Sequence, residues 1–262
     1  MAPYHSHGFI GQQIHSWVKA TKRTHKPLFE LAERINADCY QSLGSVTIDS
    51  GSLRQTLIAC LFARCLELFQ ASYILVSHGM SPSGSVTLRA LLEATFVLCA
   101  TAKDDAALEA YVIDGEREKL RVARKLLADK DSTLSEDRLD VIRGIQNELD
   151  EKMKEQKIMK FSTEDFAIKA GLHSWYLTAY AKTSWAVHTT IRDMERHIVL
   201  DDEEKLKSIT FIPTDEGTVD VLSTACTAMI ISLGELLSLF GADTTVADMY
   251  GKELERVMTK TA

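Results

Sequence analysis

Residues 52–102 read SLRQTLIACLFARCLELFQASYILVSHGMSPSGSVTLRALLEATFVLCATA, and their interpretation decides the fold. Two long apolar runs flank one short segment of Gly, Ser and Pro. Each run far exceeds the roughly 5–6 residues of an average strand and lacks period-two alternation, so each predicts a helix. Glycine and proline in GMSPSG (79–84) supply the chain reversal between them. The first helix is expected over about 52–78 and the second from Ser85. Two nearly all-apolar helices in succession predict the centre of a buried core.

The same reading extends in both directions. Helices are expected over 8–24 and 27–43, divided at Pro27, which can open a helix but would break an interior. From Asp104 to about Lys157 the sequence is dense in alternating charge, with Leu120, Ala123, Leu126 and Leu127 facing Leu139, Ile142, Ile145 and Leu149 as apolar stripes. That pattern predicts a solvated helical hairpin turning near DKDSTLSED, with Thr133 and Glu136 at capping-box spacing. Ser162 and Asp165 have the same spacing and open a short helix that Gly171 can end. A further helix is expected from His173 to His197. The segment HIVLDDEEKLKSITFIPTDEG (197–217) alternates as strands do around a polar DDEE turn, so a small β-hairpin is expected there. An apolar helix over 219–240 and an amphipathic one from Val246 close the chain. No repeat, low-complexity tract or linker divides it, so the expectation is one all-α multi-helix bundle over 1–262 with a charged hairpin insertion.

Composition narrows function. Thirty Lys and Arg against 37 Asp and Glu give a formal charge of −7, so the overall field does not attract nucleic acid, and any such contact needs a local basic patch. The five cysteines form no C-x-x-C pair and lie mostly in apolar runs, which predicts a reduced, cytoplasmic protein. The first residues, MAPYHSHGFIGQQ, lack the basic start and apolar run of a secretory signal. Of two runs checked as membrane spans, 57–76 carries Arg64, Glu67 and Gln70 near its middle, where a charge costs roughly 2.5–3.5 kcal/mol on insertion scales. The other, 222–240, holds only Glu235 but lacks basic flanks. Both are read as buried helices, with no membrane. H-E-x-x-H, E-x-x-H, glycine-rich phosphate loops and G-x-S-x-G are all absent, so neither metal nor cofactor is expected.

Two groups of residues could carry chemistry. Arg89 and Glu93, at i and i+4, are charges in a helix otherwise made for burial, and Arg64 and Glu67 repeat the theme one helix earlier. Tyr180, Ser184 and His188 share one face at i, i+4 and i+8, a ladder able to meet Arg89 and Glu93, while Trp175, Trp185 and Val187 occupy other faces. The ladder is read either as a helix-tying network or as a ligand pocket. The second group is RDMERH (192–197), whose arginine offers a fork for phosphate oxygens and whose histidine is the side-chain type most used to take and give protons. A solvated helix end pairing its own charges explains the same residues.

The stretch FARCLELFQASYILVSHGMSPSGSVTLRALLEATFVLCAT, followed downstream by YAKTSWAVHTT, resembles an all-helical bacterial family catalogued as domain of unknown function 5677. Its R-x-x-x-E helix falls on Arg89 and Glu93, and its Y-x-x-x-S-x-x-x-H helix on Tyr180, Ser184 and His188. The resemblance spans about residues 55–200 and implies a shared polar centre without an assigned activity. Arg192, Asp193 and His197 resemble the R-[NDH]-x-x-x-H motif of the HEPN ribonucleases of toxin–antitoxin and phage-defence systems. That resemblance implies a motif at a homodimer interface, with Arg192 stabilising phosphate, Asp193 orienting the pair, and His197 assisting ribose 2′-hydroxyl attack without a metal. The expectations are therefore a metal-independent ribonuclease with RNA, an antitoxin or a second copy as partner, or alternatively a non-catalytic interaction protein with a buried polar network.

Overall fold

The computed structural model describes residues 8–129, 133–155, 160–187 and 191–261. Ser52 accepts a hydrogen bond from the Gln55 amide (3.3 Å) and so starts α3 (Leu53–Ser77), satisfying a donor that the first helical turn leaves open. Before it come α1 (Ile14–Thr24) and α2 (Lys26–Ser45), with Pro27 in the first turn of α2. After it, Gly79 (φ +75) reverses the chain into α4 (Ser81–Lys103). The helix begins before the expected Ser85, because Pro82 lies in its first turn, where a missing N–H costs no hydrogen bond.

Asp104 accepts from the Ala107 amide (2.8 Å) to open α5 (Asp105–Ala128), which returns as α6 (Glu136–Glu155). These are the arms of the charged hairpin. The Thr133/Glu136 cap is not formed as expected, since Leu139 N donates to Ser135 O (3.0 Å) and Glu136 is the first helical residue. The apolar seam is dry only in part: Leu120, Ala123 and Leu149 are buried, whereas Leu126 and Ile145 are exposed. Ser162 and Asp165 form a reciprocal capping box at the start of α7 (Thr163–Lys169), and the chain turns at Gly171 (φ +73).

Over 173–197, where one helix is expected, the chain is helical without a break from His173 to Val187 and again from Ile191 to Glu195, and residues 188–190 lie outside the described residues. First come α8 (His173–Trp175), a π-helical turn (Tyr176–Tyr180) and α9 (Ala181–Val187). Then follows α10 (Ile191–Glu195), which stops because Arg196 and His197 turn the chain into β1 (Ile198–Leu200). Antiparallel to it runs β2 (Leu206–Ile209), with Ile198 opposite Ile209, Val199 opposite Ser208 and Leu200 opposite Leu206. Gly217 (φ +77) precedes α11 (Thr218–Leu239), and α12 (Thr245–Thr261) ends the chain.

Among the described residues the fold is all-α with this one small hairpin. Helices α3, α4 and α11 pack on one another, with Phe62, Phe69, Leu91, Leu92, Phe96, Leu222 and Met229 at their shared centre, each no more than 1% exposed. Each such side chain contributes roughly 1.5–3 kcal/mol of transfer free energy. All three helices are long and apolar enough to cross a membrane by length and composition, and each buries 50–56% of its most apolar window inside the chain. The α2 and α12 helices cover one side of this core, the α5–α6 hairpin meets α4, and α7 and α9 lie along α4. Arg64 and Glu67 are not interior: they pair at 2.6 Å on the outer face of α3, with side chains 55% and 68% exposed. Cys39, Cys65, Cys99 and Cys226 are buried and Cys60 is exposed, all as free thiols. Burial pushes the Cys65 thiol up to about 11, which keeps it protonated and inert.

Candidate functional site

Arg89 and Glu93 lie on the side of α4 that α9 covers, and Tyr180, the last residue of the π-helical turn, and Ser184 of α9 return the contact. Arg89 Nη2 donates to the Tyr180 hydroxyl at 2.6 Å, and that hydroxyl donates to Glu93 Oε1 at 2.5 Å. Arg89 Nη1 donates to Ser184 Oγ, and Nε reaches Glu93 Oε1 at 3.4 Å. The guanidinium also lies over the Tyr180 ring, 3.9 Å from its centroid. Tyr180 in turn stacks on Tyr176 (5.1 Å between centroids), a pairing set within the π-helical turn, and meets Phe96 edge-on. Burial first, and then the bond to Glu93, pushes the Tyr180 phenol up to about 12. The carboxylate of Glu93 keeps 43% of its exposure and the Arg89 side chain 18%, so the cluster has a wet edge and is not sealed inside the bundle.

The structure thus brings together Arg89, Glu93, Tyr180 and Ser184. His188 lies outside the described residues. What the four can do is hold α4 against α9, because the guanidinium donors already point at acceptors inside the cluster.

The second group sits where α10 meets the hairpin. His197 is half-buried, and its backbone carbonyl accepts from Thr210 N at 2.7 Å, one step beyond the Ile198–Ile209 pair. His197 Nδ1 stands 2.8 Å from the Thr210 carbonyl, which can only accept, so Nδ1 carries the proton. The opposite nitrogen, Nε2, is then the lone-pair side of the neutral ring, and Arg196 Nε donates to it at 3.2 Å. The side chains of Arg192 and Asp193 lie outside the described residues, as does that of Trp185. Arg192 and Asp193 themselves belong to α10.

Arg196 and His197 open onto a pocket of about 360 Å³ that Gly79, Pro82, Thr210 and Phe211 also line. Across Arg196 this pocket meets a cavity of about 680 Å³ between α4, α9 and the start of α11. Its walls carry Ser81, Ser85, Thr178, Thr183 and Thr224, with Lys182 and Arg196 balanced by Glu216 and Asp220. Lys182 pairs with Asp220 at 2.8 Å. Tyr180, at the end of the π-helical turn, and Ser184 of α9 turn away from this cavity and bond Arg89. Sequence reasoning missed these wall residues, since Thr178, Lys182 and Ala186 at helical spacing look like an ordinary wet helix face. The Thr210 carbonyl was equally hidden, because a backbone acceptor leaves no residue signature. Among the described residues no three His, Cys, Asp or Glu side chains come together as a metal-ligand group.

Fold and site together define an all-helical bundle with an Arg–Tyr–Glu clamp on its central helix and a hydroxyl-lined cavity beside a histidine. The chain belongs to a family of unknown function, DUF5677, whose model matches residues 55–206. That span contains both clamp helices and the RDMERH segment, and it ends before Thr210 and α11, which complete the histidine's hydrogen bond and the cavity wall. Comparison with curated proteins and with solved structures gave no match.

Proposed function

We propose that the chain is a metal-independent endoribonuclease module in which His197 is the general base and Arg196, with Arg192, holds the scissile phosphate. The observation that carries this reading is the tautomer of His197: its Nδ1–H is held by the Thr210 carbonyl, so the basic Nε2 is directed to an arginine at a cavity mouth. In the proposed reaction Nε2 takes the ribose 2′-hydroxyl proton, and the 2′-oxygen attacks the adjacent phosphorus. The P–O5′ bond breaks, leaving a 2′,3′-cyclic phosphate, and the departing 5′-oxygen takes a proton from water. A phosphate arriving at the exposed Arg196 draws its guanidinium from the imidazole and receives its two-pronged hydrogen bonding. Cytoplasmic action in a defence or toxin–antitoxin setting, with a second copy or an antitoxin as partner, belongs to the same reading and rests on the motif alone.

The test is incubation of the purified chain with a panel of RNAs in the presence of a chelator. Cleavage that His197→Ala and Arg196→Ala each reduce by about 10²–10⁴, with circular dichroism unchanged, is the expected result. RNAs left intact by the wild-type chain overturn it.

One observation favours a second reading. Lys182 and Arg196 are matched by Glu216 and Asp220 around the large cavity, and such a neutral wall suits a non-catalytic site for a small polar ligand better than a polyanion track.

A further inference from the structure

We infer that the cavity between α4, α9 and α11 is a single-nucleotide subsite, which takes the base and ribose on the 5′ side of the scissile phosphate and favours bases that carry an exocyclic amine. The inference rests on the nucleolytic reading and names the part of the substrate that the reading leaves open.

Size comes first. At about 680 Å³ the cavity lies within the ~300–1,000 Å³ typical of small-ligand sites and far above the ~30 Å³ share of one water, so a lone anion would leave it almost empty. Connection comes second. Pro82, Arg196, Thr214 and Glu216 border both this cavity and the pocket that holds His197. A ligand seated in the larger space therefore presents its phosphate at Arg196, beside the basic Nε2 of His197.

Hydrogen-bond polarity then selects the ligand's edge. Thr178 Oγ1 donates to Ser174 O (2.7 Å), Thr183 Oγ1 to Tyr180 O (2.8 Å) and Ser85 Oγ to Ser81 O (3.2 Å). With their protons committed to backbone carbonyls, these hydroxyls offer lone pairs to anything that enters. Of the charged groups on this wall, Lys182 and Asp220 bind each other at 2.8 Å and Arg196 is the one that meets the phosphate, which leaves the Glu216 carboxylate as a further acceptor. The wall asks for N–H and O–H donors on a ligand whose other end is anionic, beside apolar surface supplied by Pro82, Ala179 and Ala186. A nucleotide with a free 3′-phosphate fits this description: its ribose hydroxyls and base amine donate, and its flat face lies on aliphatic side chains. Adenine, cytosine and guanine supply the amine. Uracil places a carbonyl there, which sets acceptor against acceptor and leaves the wall unpaired.

Titration calorimetry on the full chain tests this with adenosine 3′-monophosphate, uridine 3′-monophosphate and inorganic phosphate as probes. The adenosine nucleotide is expected to bind about tenfold or more tighter than either of the others. Ala186→Phe, which fills the cavity from α9, and Thr224→Leu, which fills it from α11, are each expected to abolish that preference. Two variants on opposite walls guard against one that fails to fold. Equal affinity for adenosine nucleotide and inorganic phosphate, or a preference that survives in a folded cavity-filling variant, overturns the subsite. Selective nucleotide binding with RNA left intact removes the nuclease and keeps the nucleotide site. Cleavage that depends on His197 but is indifferent to both filling variants removes the subsite and keeps the nuclease.

Discussion

Arg89 and Tyr180 are joined twice, by the guanidinium lying 3.9 Å from the ring centroid and by Nη2 donating to the phenol oxygen at 2.6 Å. The second bond is strengthened because the same hydroxyl donates a hydrogen bond of its own to Glu93 at 2.5 Å. The consequence is an unequal division of labour within the cluster. Arg89, the less exposed partner, contributes a stacked cation and charge-assisted donors, whereas Glu93 remains partly in water. Arg89→Ala is expected to cost about 2–3 kcal/mol, from charged hydrogen bonds worth roughly 1.5–3 and a cation–π contact of about 0.5–2 that are not additive. Glu93→Ala is expected to cost only about 0.2–1 kcal/mol. Urea denaturation of both variants measures the difference, and equal losses would contradict it. An interior pair, as the sequence suggests, would make the Glu93 variant the costly one at about 3–5 kcal/mol.

The clamp has a defined pH limit. Tyr180 donates to a carboxylate only while protonated, and its folded-state value stands near 12 against an ordinary 10. For an acid raised in the folded state, the stabilisation is fully present below about pH 10 and is lost as pH rises through about 12. The wild-type minus Tyr180→Phe difference in tyrosinate absorbance isolates this phenol. Its midpoint is expected near 12, and a midpoint near 10 would mean that neither burial nor the Glu93 bond holds the proton.

What the sequence made legible follows from the range of each interaction. Helices α3 and α11 and the Ser162–Asp165 cap depend on residues close in the chain, so periodicity and spacing disclose them. Arg89, Glu93, Tyr180 and Ser184 were legible as a group, because polar residues on one face of an apolar helix need partners elsewhere. Arg64 and Glu67 misled, since α3 is apolar enough around its circumference that spacing alone does not distinguish its wet face. The start of α4 was misplaced because Pro82 serves equally as a turn residue or as a first-turn residue. The cavity was not legible at all. It depends on Arg196, Thr214 and Asp220 reaching one space from three parts of the chain, a relation that only the fold creates.

Gly79 is a position where the backbone leaves no choice. It has φ +75, and a Cβ there would stand 2.6 Å from Pro213 Cβ and 2.7 Å from Trp17 Nε1. Its carbonyl also accepts from Thr214 N at 3.0 Å, which fastens the segment after β2 to the turn before α4. Gly79→Ala is expected to lower stability by about 1–3 kcal/mol through the left-handed backbone and the collision. Gly234→Ala is the counterpart inside α11, where a new Cβ meets Ala247 Cβ at an ordinary 3.7 Å. There a gain of about 0.5–1 kcal/mol is expected, because alanine loses less backbone entropy in a helix. Thermal denaturation of the two variants should move in opposite directions, and a Gly79→Ala protein that melts like wild type would place the turn elsewhere.

The state of His197 can be read without any RNA. Because the Thr210 carbonyl accepts from Nδ1 at 2.8 Å and Arg196 Nε donates to Nε2 at 3.2 Å, both contacts favour the same neutral tautomer, with the proton on Nδ1. The Thr210 contact also depends on hairpin register, since Thr210 N closes the pair by donating to His197 O at 2.7 Å. Nitrogen-15 NMR of the imidazole is expected to report a protonated Nδ1 and a bare Nε2 at alkaline pH. In Arg196→Ala the tautomer is expected to persist, because the carbonyl alone enforces it. In Thr210→Pro the hairpin bond from residue 210 is lost, and the fixed preference is expected to disappear as the strand separates from His197. A wild-type signal with the proton on Nε2 would contradict the assignment of His197 as a base aimed at Arg196. It would do so whether or not the chain cleaves RNA, because an Nε2 that carries a proton has no lone pair to receive one from a ribose hydroxyl.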